Sequence, residues 1–76
     1  MNLFNGAENK LYAVKKIDLP GNLVKRLEVL GMIPGVRIVI LNKRRTAVIV
    51  AVRGTRFALG RFIAQKIDIA ESGREL

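Results

Sequence analysis

The sequence contains no cysteine, no histidine and no tryptophan. Without cysteine it cannot form a disulfide or a thiolate metal site, and without histidine it lacks the commonest general base and the commonest metal ligand. Its six carboxylates are scattered along the chain, so no ligand cluster for a tightly bound transition-metal ion is expected. We therefore predict that the protein is not an enzyme and has no catalytic residue, no cofactor site and no metal site.

Long apolar runs are also absent. No stretch approaches the roughly 18–20 residues that a membrane-spanning helix needs. Residues 1–10 lack the basic segment followed by an apolar segment that marks a signal peptide. A chain without cysteine and without an export signal is expected to be cytoplasmic.

The chain is short, half apolar and strongly basic. Its 76 residues suffice for one domain, predicted over residues 1–76 with a core over about 11–70. Fourteen Lys and Arg against six Asp and Glu give a net charge of +8. This charge attracts anionic partners such as nucleic acid, acidic lipid headgroups or an acidic protein face, and does not by itself choose among them.

The first quarter of the chain is predicted to contain a polar N-terminal segment, the lead-in, followed by a strand. Residues 1–10 are polar and are expected to be pinned by Leu3 and Phe4. Residues 11–18 alternate weakly between apolar and polar side chains and are predicted to form a first strand. Pro20 and Gly21 then interrupt the chain.

A short helix is predicted over about residues 22–30. Asn22 would cap its first turn, and Gly31 suits the left-handed position after its last turn. Leu23, Leu27 and Leu30 form one apolar stripe at helical spacing. We expect this stripe to pack over one open end of the sheet.

After this helix the spacing of apolar residues changes from the helical period to the period of two that is typical of a strand. Pro34 followed by Gly35 predicts a type II turn. Residues 36–41 and 46–53 alternate and are rich in β-branched side chains, which favours strands. Gly54-Thr55 predicts a type II′ hairpin turn between the second of these strands and the next.

The last quarter predicts a strand, a turn and a final strand. A short strand over 56–59 is followed by a helical turn over about 61–65 that places Phe62 or Ile63 inward, and Phe57 and Phe62 are expected in the core. Ile67 to Ile69 predicts the last strand, and the polar residues 71–76 are expected to be a frayed tail. The whole is mainly β: a small barrel of about five strands that close to remove their edges.

Several local patterns occur in one order. Gly31-Met32-Ile33-Pro34-Gly35 lies between a Leu-rich helix and an alternating strand. Near the end follow Phe57-Ala58-Leu59, Ala64 in a short helical turn, and Ile67-Asp68-Ile69. In this combination, which covers most of residues 11–70, the chain resembles the ferrous-iron transport protein A (FeoA) family.

The resemblance implies an SH3-like barrel and a bacterial or archaeal cytoplasmic protein. The family works beside FeoB, a membrane ferrous-iron transporter with a cytoplasmic GTPase domain. The resemblance therefore implies an accessory protein that binds the cytoplasmic part of a FeoB-like transporter and modulates iron uptake through protein–protein contacts. Similar domains also occur in metal-dependent repressors, so a metal-sensing domain is an alternative.

Seven residues are candidates for partner binding. Met32 and Ile33 are apolar residues in a connector, where they either meet a partner or fold back over the barrel end. The remaining five are basic residues around two hairpin turns: Lys43, Arg44, Arg45, Arg53 and Arg56. A basic turn either docks an anion or keeps neighbouring strands from pairing edge to edge.

The candidate partners are therefore of several kinds. Besides the transporter, an anionic membrane surface would attract the basic turns. Nucleic acid is a further alternative, weakened because one Tyr and three Phe offer little surface for base stacking. Self-association through Val- and Ile-rich edge strands stays open.

Overall fold

The computed structural model describes residues 1–72. These residues form five strands, two helices and an N-terminal 3₁₀ turn. In chain order the elements are the 3₁₀ turn (Leu3–Asn5), β1 (Leu11–Ile17), α1 (Gly21–Val29), β2 (Arg37–Lys43), β3 (Ala47–Val52), β4 (Thr55–Gly60), α2 (Arg61–Ala64) and β5 (Ile67–Glu71).

The five strands form one antiparallel sheet in the order β4-β3-β2-β1-β5. The mainly β, five-stranded fold is thus confirmed. Register shifts between Val14 and Lys16 and between Ile40 and Asn42 interrupt the ladders. Such bulges increase the local twist, which lets the sheet curl around its own core.

Alternation along the strands decides which face is buried. In β3, Val48, Val50 and Val52 are fully buried, whereas Ala47, Ile49 and Ala51 between them are half-buried. The same alternation holds in β2, as its sequence predicts. The remaining buried apolar residues come from every other element: Leu3, Tyr12, Val14, Leu27, Met32, Ile38, Ile40, Leu59, Ala64, Ile67 and Ile69.

The expected closure of the barrel by strand pairing is not seen among residues 1–72, because β4 and β5 are the two edges of the sheet. The chain start lies along β5 instead: the Ile69 amide donates to the Met1 carbonyl at 2.7 Å, and Asn2 bridges to Asp68. Leu3, fully buried, enters the core from this segment. The lead-in is therefore part of the folded unit.

Helix α1 ends as its sequence predicts. Gly31 has φ +91°, and its amide donates to the Glu28 carbonyl, while the Met32 amide donates to the Leu27 carbonyl. This is a Schellman motif, with Leu27 and Met32 as its apolar pair. The predicted Asn22 cap is wrong: Pro20 precedes the helix, and its carbonyl accepts the bonds of the first turn without a side-chain cap.

Of the two glycine-containing turns that the sequence predicts, one is found as predicted and the other lies at a different position. The type II turn is confirmed, since Gly35 has φ +95° and the Val36 amide donates to the Ile33 carbonyl. The hairpin turn lies one residue earlier than predicted. Val52 pairs with Thr55, and both Arg53 (φ 52°) and Gly54 (φ 83°) have positive φ, which is the type I′ pattern.

Two predictions at the end of the chain are corrected. Phe62 was expected in the core, but 73% of it is exposed, because α2 turns Ala64 inward instead. Strand β5 continues to Glu71, into the predicted tail, and residues 73–76 lie outside the described part of the chain. No helix within residues 1–72 combines the length and apolarity needed to cross a bilayer.

Candidate functional site

An apolar groove lies between α1 and the edge strand β4. The Leu stripe of α1 was expected to pack over one open end of the sheet, but among its three leucines only Leu27 is buried, and Leu30 remains 38% exposed. A groove of about 250 Å³ is therefore open beside the helix. Its lining residues are Leu23, Arg26, Leu27, Leu30, Ala58, Leu59, Gly60 and Ile63.

The two connector candidates separate in the structure. Met32 is fully buried as the partner of Leu27 in the Schellman motif, so the prediction that it contacts a partner is corrected. Ile33 is 37% exposed and is the first residue of the type II turn before β2. Its role in partner binding stays a prediction.

The basic turn between β2 and β3 is held against the 3₁₀ turn. Lys43 Nζ donates to the Phe4 carbonyl at 3.0 Å, and the Lys43 amide donates to Glu8 Oε2 at 2.7 Å. Arg61, from α2, donates from Nη1 to the Arg45 carbonyl at 3.3 Å, and its Cζ lies 4.9 Å from the Phe4 ring centre. The β2–β3 hairpin and α2 therefore bring their cations to one place beside the 3₁₀ turn.

Exposed side chains extend this region. Arg44 and Arg45 are exposed at the turn, and Phe62 follows Arg61 in α2. Lys66 Nζ lies 6.0 Å from the Phe62 ring centre. We name the region the basic turn surface and define it as Lys43, Arg44, Arg45, Arg61, Phe62 and Lys66.

Arg53 and Arg56 do not join the basic turn surface. They flank the β3–β4 turn, at the opposite end of β3, and six strand residues correspond to about 20 Å. Arg53 lies instead beside the end of α1, with its Cδ 3.6 Å from the position a Cβ would take at Gly31. The predicted basic residues thus form two groups.

The charge of the chain is unevenly distributed. Between Glu28 and Asp68 the sequence has eight Lys or Arg residues and no Asp or Glu, whereas the rest of the chain has six of each. The whole net charge therefore belongs to β2, β3, β4, α2 and their connections. The ion pairs within residues 1–72 lie elsewhere, joining the Met1 amino group to Asp68 and Lys10 to Glu71.

Metal ligands are sparse in the described part of the chain. Residues 1–72 contain no group of three or more His, Cys, Asp or Glu placed to hold a metal ion. The open polar cavity of about 390 Å³ near the start of β5 is lined by two carboxylates and two lysines, together with Asn2 and Gln65. Its chemistry is that of a hydrated surface rather than of a ligand shell.

The sequence predictions missed the groove, Arg61 and the exposed Phe62. The groove depends on how far α1 stands from β4, which no local pattern records. The acid-free segment between Glu28 and Asp68, in contrast, can be read directly from the sequence. It was the available signal that Arg61 belongs with the other cations.

Known structures share this architecture. An iron uptake regulatory protein (FeoA) is 25% identical and has a TM-score of 0.83, covering 93% of this chain and 95% of that one. The FeoA protein from Chlorobium tepidum is 20% identical and has a TM-score of 0.88, covering 99% and 74%. A manganese-dependent transcriptional repressor is 21% identical, with a TM-score of 0.82 over 95% of this chain and 41% of that one.

The last two similarities show the fold alone, and this chain spans less than half of the repressor. A search of curated proteins found no match to the sequence. The family model of the FeoA domain matches residues 1–71, from the lead-in to the end of β5. The chain therefore belongs to the FeoA family, with its SH3-like fold.

Proposed function

We propose that this protein is a cytoplasmic accessory protein of ferrous-iron uptake, which binds the cytoplasmic part of a FeoB-like transporter and modulates transport through protein–protein contacts. Membership of the FeoA family indicates a role in ferrous-iron transport. In this proposal the protein binds the transporter in the cytoplasm and catalyses no reaction of its own. Ferrous iron is here the cargo of the transporter and not a resident ligand of this chain.

The groove between α1 and β4 is the observation that carries the proposal. Its walls are Leu, Ile and Ala side chains, and about 250 Å³ accommodates one or two apolar side chains of a partner. Arg26, an exposed residue, also lines the groove, and the chain has a net charge of +8. The groove therefore fits an apolar segment flanked by acidic residues on the transporter.

Two neighbouring residues of α1 provide a matched test. Leu30 lines the groove, whereas Val29 does not and is 86% exposed. Leu30→Glu places a carboxylate in the groove and is expected to weaken binding to the transporter by about tenfold or more, because buried apolar contact is lost. Val29→Glu makes the same change in charge and is expected to leave affinity nearly unchanged.

Binding is measured by calorimetric titration against the isolated cytoplasmic GTPase domain and against the full transporter. Ala58→Glu, on the opposite wall and exposed, tests the groove without touching α1. Circular dichroism checks that each variant is folded. Failure of the wild-type protein to bind either form of the transporter contradicts the proposal, and equal losses for Val29→Glu and Leu30→Glu contradict the use of the groove.

The repressor match supports a second candidate, a metal-sensing regulatory domain. It rests on the fold alone, over 41% of the repressor. Calorimetry with manganous ion on the protein alone distinguishes the candidates, because a sensing domain must bind the ion without the transporter. A saturable, tight response would favour this candidate over the transporter accessory.

A further inference from the structure

We propose that the basic turn surface binds the anionic headgroups of a lipid bilayer. The proposal concerns a region outside the groove and does not depend on a transporter. Its first support is charge. Five cations, Lys43, Arg44, Arg45, Arg61 and Lys66, come from a stretch of sequence that has no carboxylate between Glu28 and Asp68.

The structure gathers these cations from separate elements. The β2–β3 turn and α2 are tied by the bond from Arg61 to the Arg45 carbonyl and by the bond from the Arg61 amide to the Thr46 carbonyl at 2.8 Å. Lys43 and Arg61 both lie over the Phe4 ring, at 5.7 and 4.9 Å. Glu8 lies near and accepts a hydrogen bond from the Lys43 amide, and Lys66 also lines the polar cavity that contains Asp18 and Asp68.

An exposed aromatic ring lies among the cations. Phe62 is 73% exposed. Two other apolar residues of α2 do reach the core: Ala64 is buried, and Ile63 packs against the core cluster. A phenyl ring beside cations suits the boundary between headgroups and acyl chains, where the charges meet phosphates and the ring leaves water.

The phosphates of a nucleic acid would pair with the cations, but a single exposed ring offers little surface for base stacking. Binding of single strands uses several aromatic side chains on which successive bases stack. Here the Phe4 ring is covered by Lys43 and Arg61, so Phe62 is the one well-exposed aromatic ring in residues 1–72. The combination favours a lipid surface.

The test is co-sedimentation of the protein with vesicles, without any transporter. We expect binding to vesicles of equimolar phosphatidylglycerol and phosphatidylcholine, no binding to pure phosphatidylcholine, and release by salt. Each Lys or Arg near an anionic surface contributes about fivefold to partitioning. Arg44→Glu/Arg45→Glu is therefore expected to weaken binding by about 25-fold or more.

The control is Lys15→Glu/Lys25→Glu, which lowers the net charge by the same amount at exposed positions outside the basic turn surface. It is expected to weaken binding only a few-fold. The turn variant should remain folded, because Arg44 and Arg45 hold the turn through backbone groups: the Arg44 amide donates to the Ala47 carbonyl, and the Arg45 carbonyl accepts from Arg61.

The ring provides an independent readout. The chain has no tryptophan, so Phe62→Trp introduces a single tryptophan at the surface, whose emission can be excited apart from that of Tyr12. Its emission is expected to shift to the blue with anionic vesicles and not with pure phosphatidylcholine. Phe62→Ser is expected to weaken vesicle binding by about tenfold.

Three results would overturn the proposal. The first is equal binding, or no binding, to the two kinds of vesicle at low salt. The second is an equal loss for the turn variant and the control variant, since diffuse net charge would then suffice. The third is displacement of the protein from anionic vesicles by single-stranded RNA at a matched phosphate concentration, which would assign the surface to nucleic acid.

Discussion

Replacement of Gly31 by alanine tests how α1, one wall of the groove, is held in place. Gly31 has φ +91°, in the left-handed region that strains a residue with a Cβ. The added Cβ would lie 3.5 Å from Val52 Cγ1 and 3.6 Å from Arg53 Cδ, which are ordinary contact distances. The cost is therefore one of backbone strain and not of steric overlap.

The magnitude follows from two opposing effects. The left-handed conformation costs an L-residue about 1–2 kcal/mol. Loss of glycine freedom in the unfolded chain offsets about 0.4–1 kcal/mol of this cost. We expect Gly31→Ala to lower the free energy of unfolding by about 1 kcal/mol, and the midpoint of thermal unfolding by about 4–8 °C for a domain of this size.

Gly21 is the matched control. It is the first residue of α1, has no positive φ, and nothing beyond its chain neighbours and the backbone of its own helix lies within 4 Å of an added Cβ. Gly21→Ala is expected to raise the free energy of unfolding by about 0.5–1 kcal/mol, because alanine favours the helix. Gly31→Asn should fall between wild type and Gly31→Ala, since asparagine tolerates positive φ.

Urea unfolding followed by circular dichroism measures all four proteins. The expected order of stability is Gly21→Ala, wild type, Gly31→Asn and Gly31→Ala. If Gly31→Ala were as stable as wild type, or if Gly21→Ala were destabilised equally, the positive φ would not be what sets the end of α1. The conclusion that Gly31 holds α1 in place as a wall of the groove would then be wrong.

Two further predictions concern single contacts. The Ala7 amide donates to the Tyr12 hydroxyl at 2.7 Å, so Tyr12→Phe should lower the free energy of unfolding by about 1 kcal/mol and speed hydrogen exchange at Ala7; unchanged exchange would contradict this. A hydrogen bond and the charge of Glu71 raise the pKa of Lys10 above 10.5. The stabilisation from this pair is therefore complete below pH 10.5 and is lost as the pH rises through the raised pKa. Lys10→Met should be less stable than wild type at neutral pH, and urea titrations should show the difference vanish in strong alkali.

Local chemistry determined a large part of this fold. The period-two pattern of β3 places Val48, Val50 and Val52 on the buried face, because successive side chains in a strand point to opposite sides. Gly31 and Pro34-Gly35 specify their turns through the backbone angles that glycine permits and proline imposes. These features depend on residues that are neighbours in the sequence, so the buried strand face and these turns can be predicted from the sequence alone.

Contacts between distant residues decided the rest. Because Val52 pairs with Thr55, the hairpin turn lies one residue earlier than the sequence pattern predicts. Met32 packs against Leu27 and is buried, although its place in a connector also allowed an exposed position. The packing of α2 turned Ala64 inward and left Phe62 in water. In each case the local pattern allowed two arrangements, and the sheet register or the core volume selected one.

The sequence by itself determined that this is a small, basic, mainly β protein, since strand period, turn residues and net charge are all local or additive properties; the order of its motifs added the resemblance to the FeoA family. Only the tertiary structure decided that Arg61 joins Lys43 and Arg45, that Arg53 and Arg56 lie at the other end of β3, and that α1 leaves a groove. The physical reason is that a surface is a property of register and packing. These bring together residues far apart in the chain, and neither is set by any short stretch of sequence.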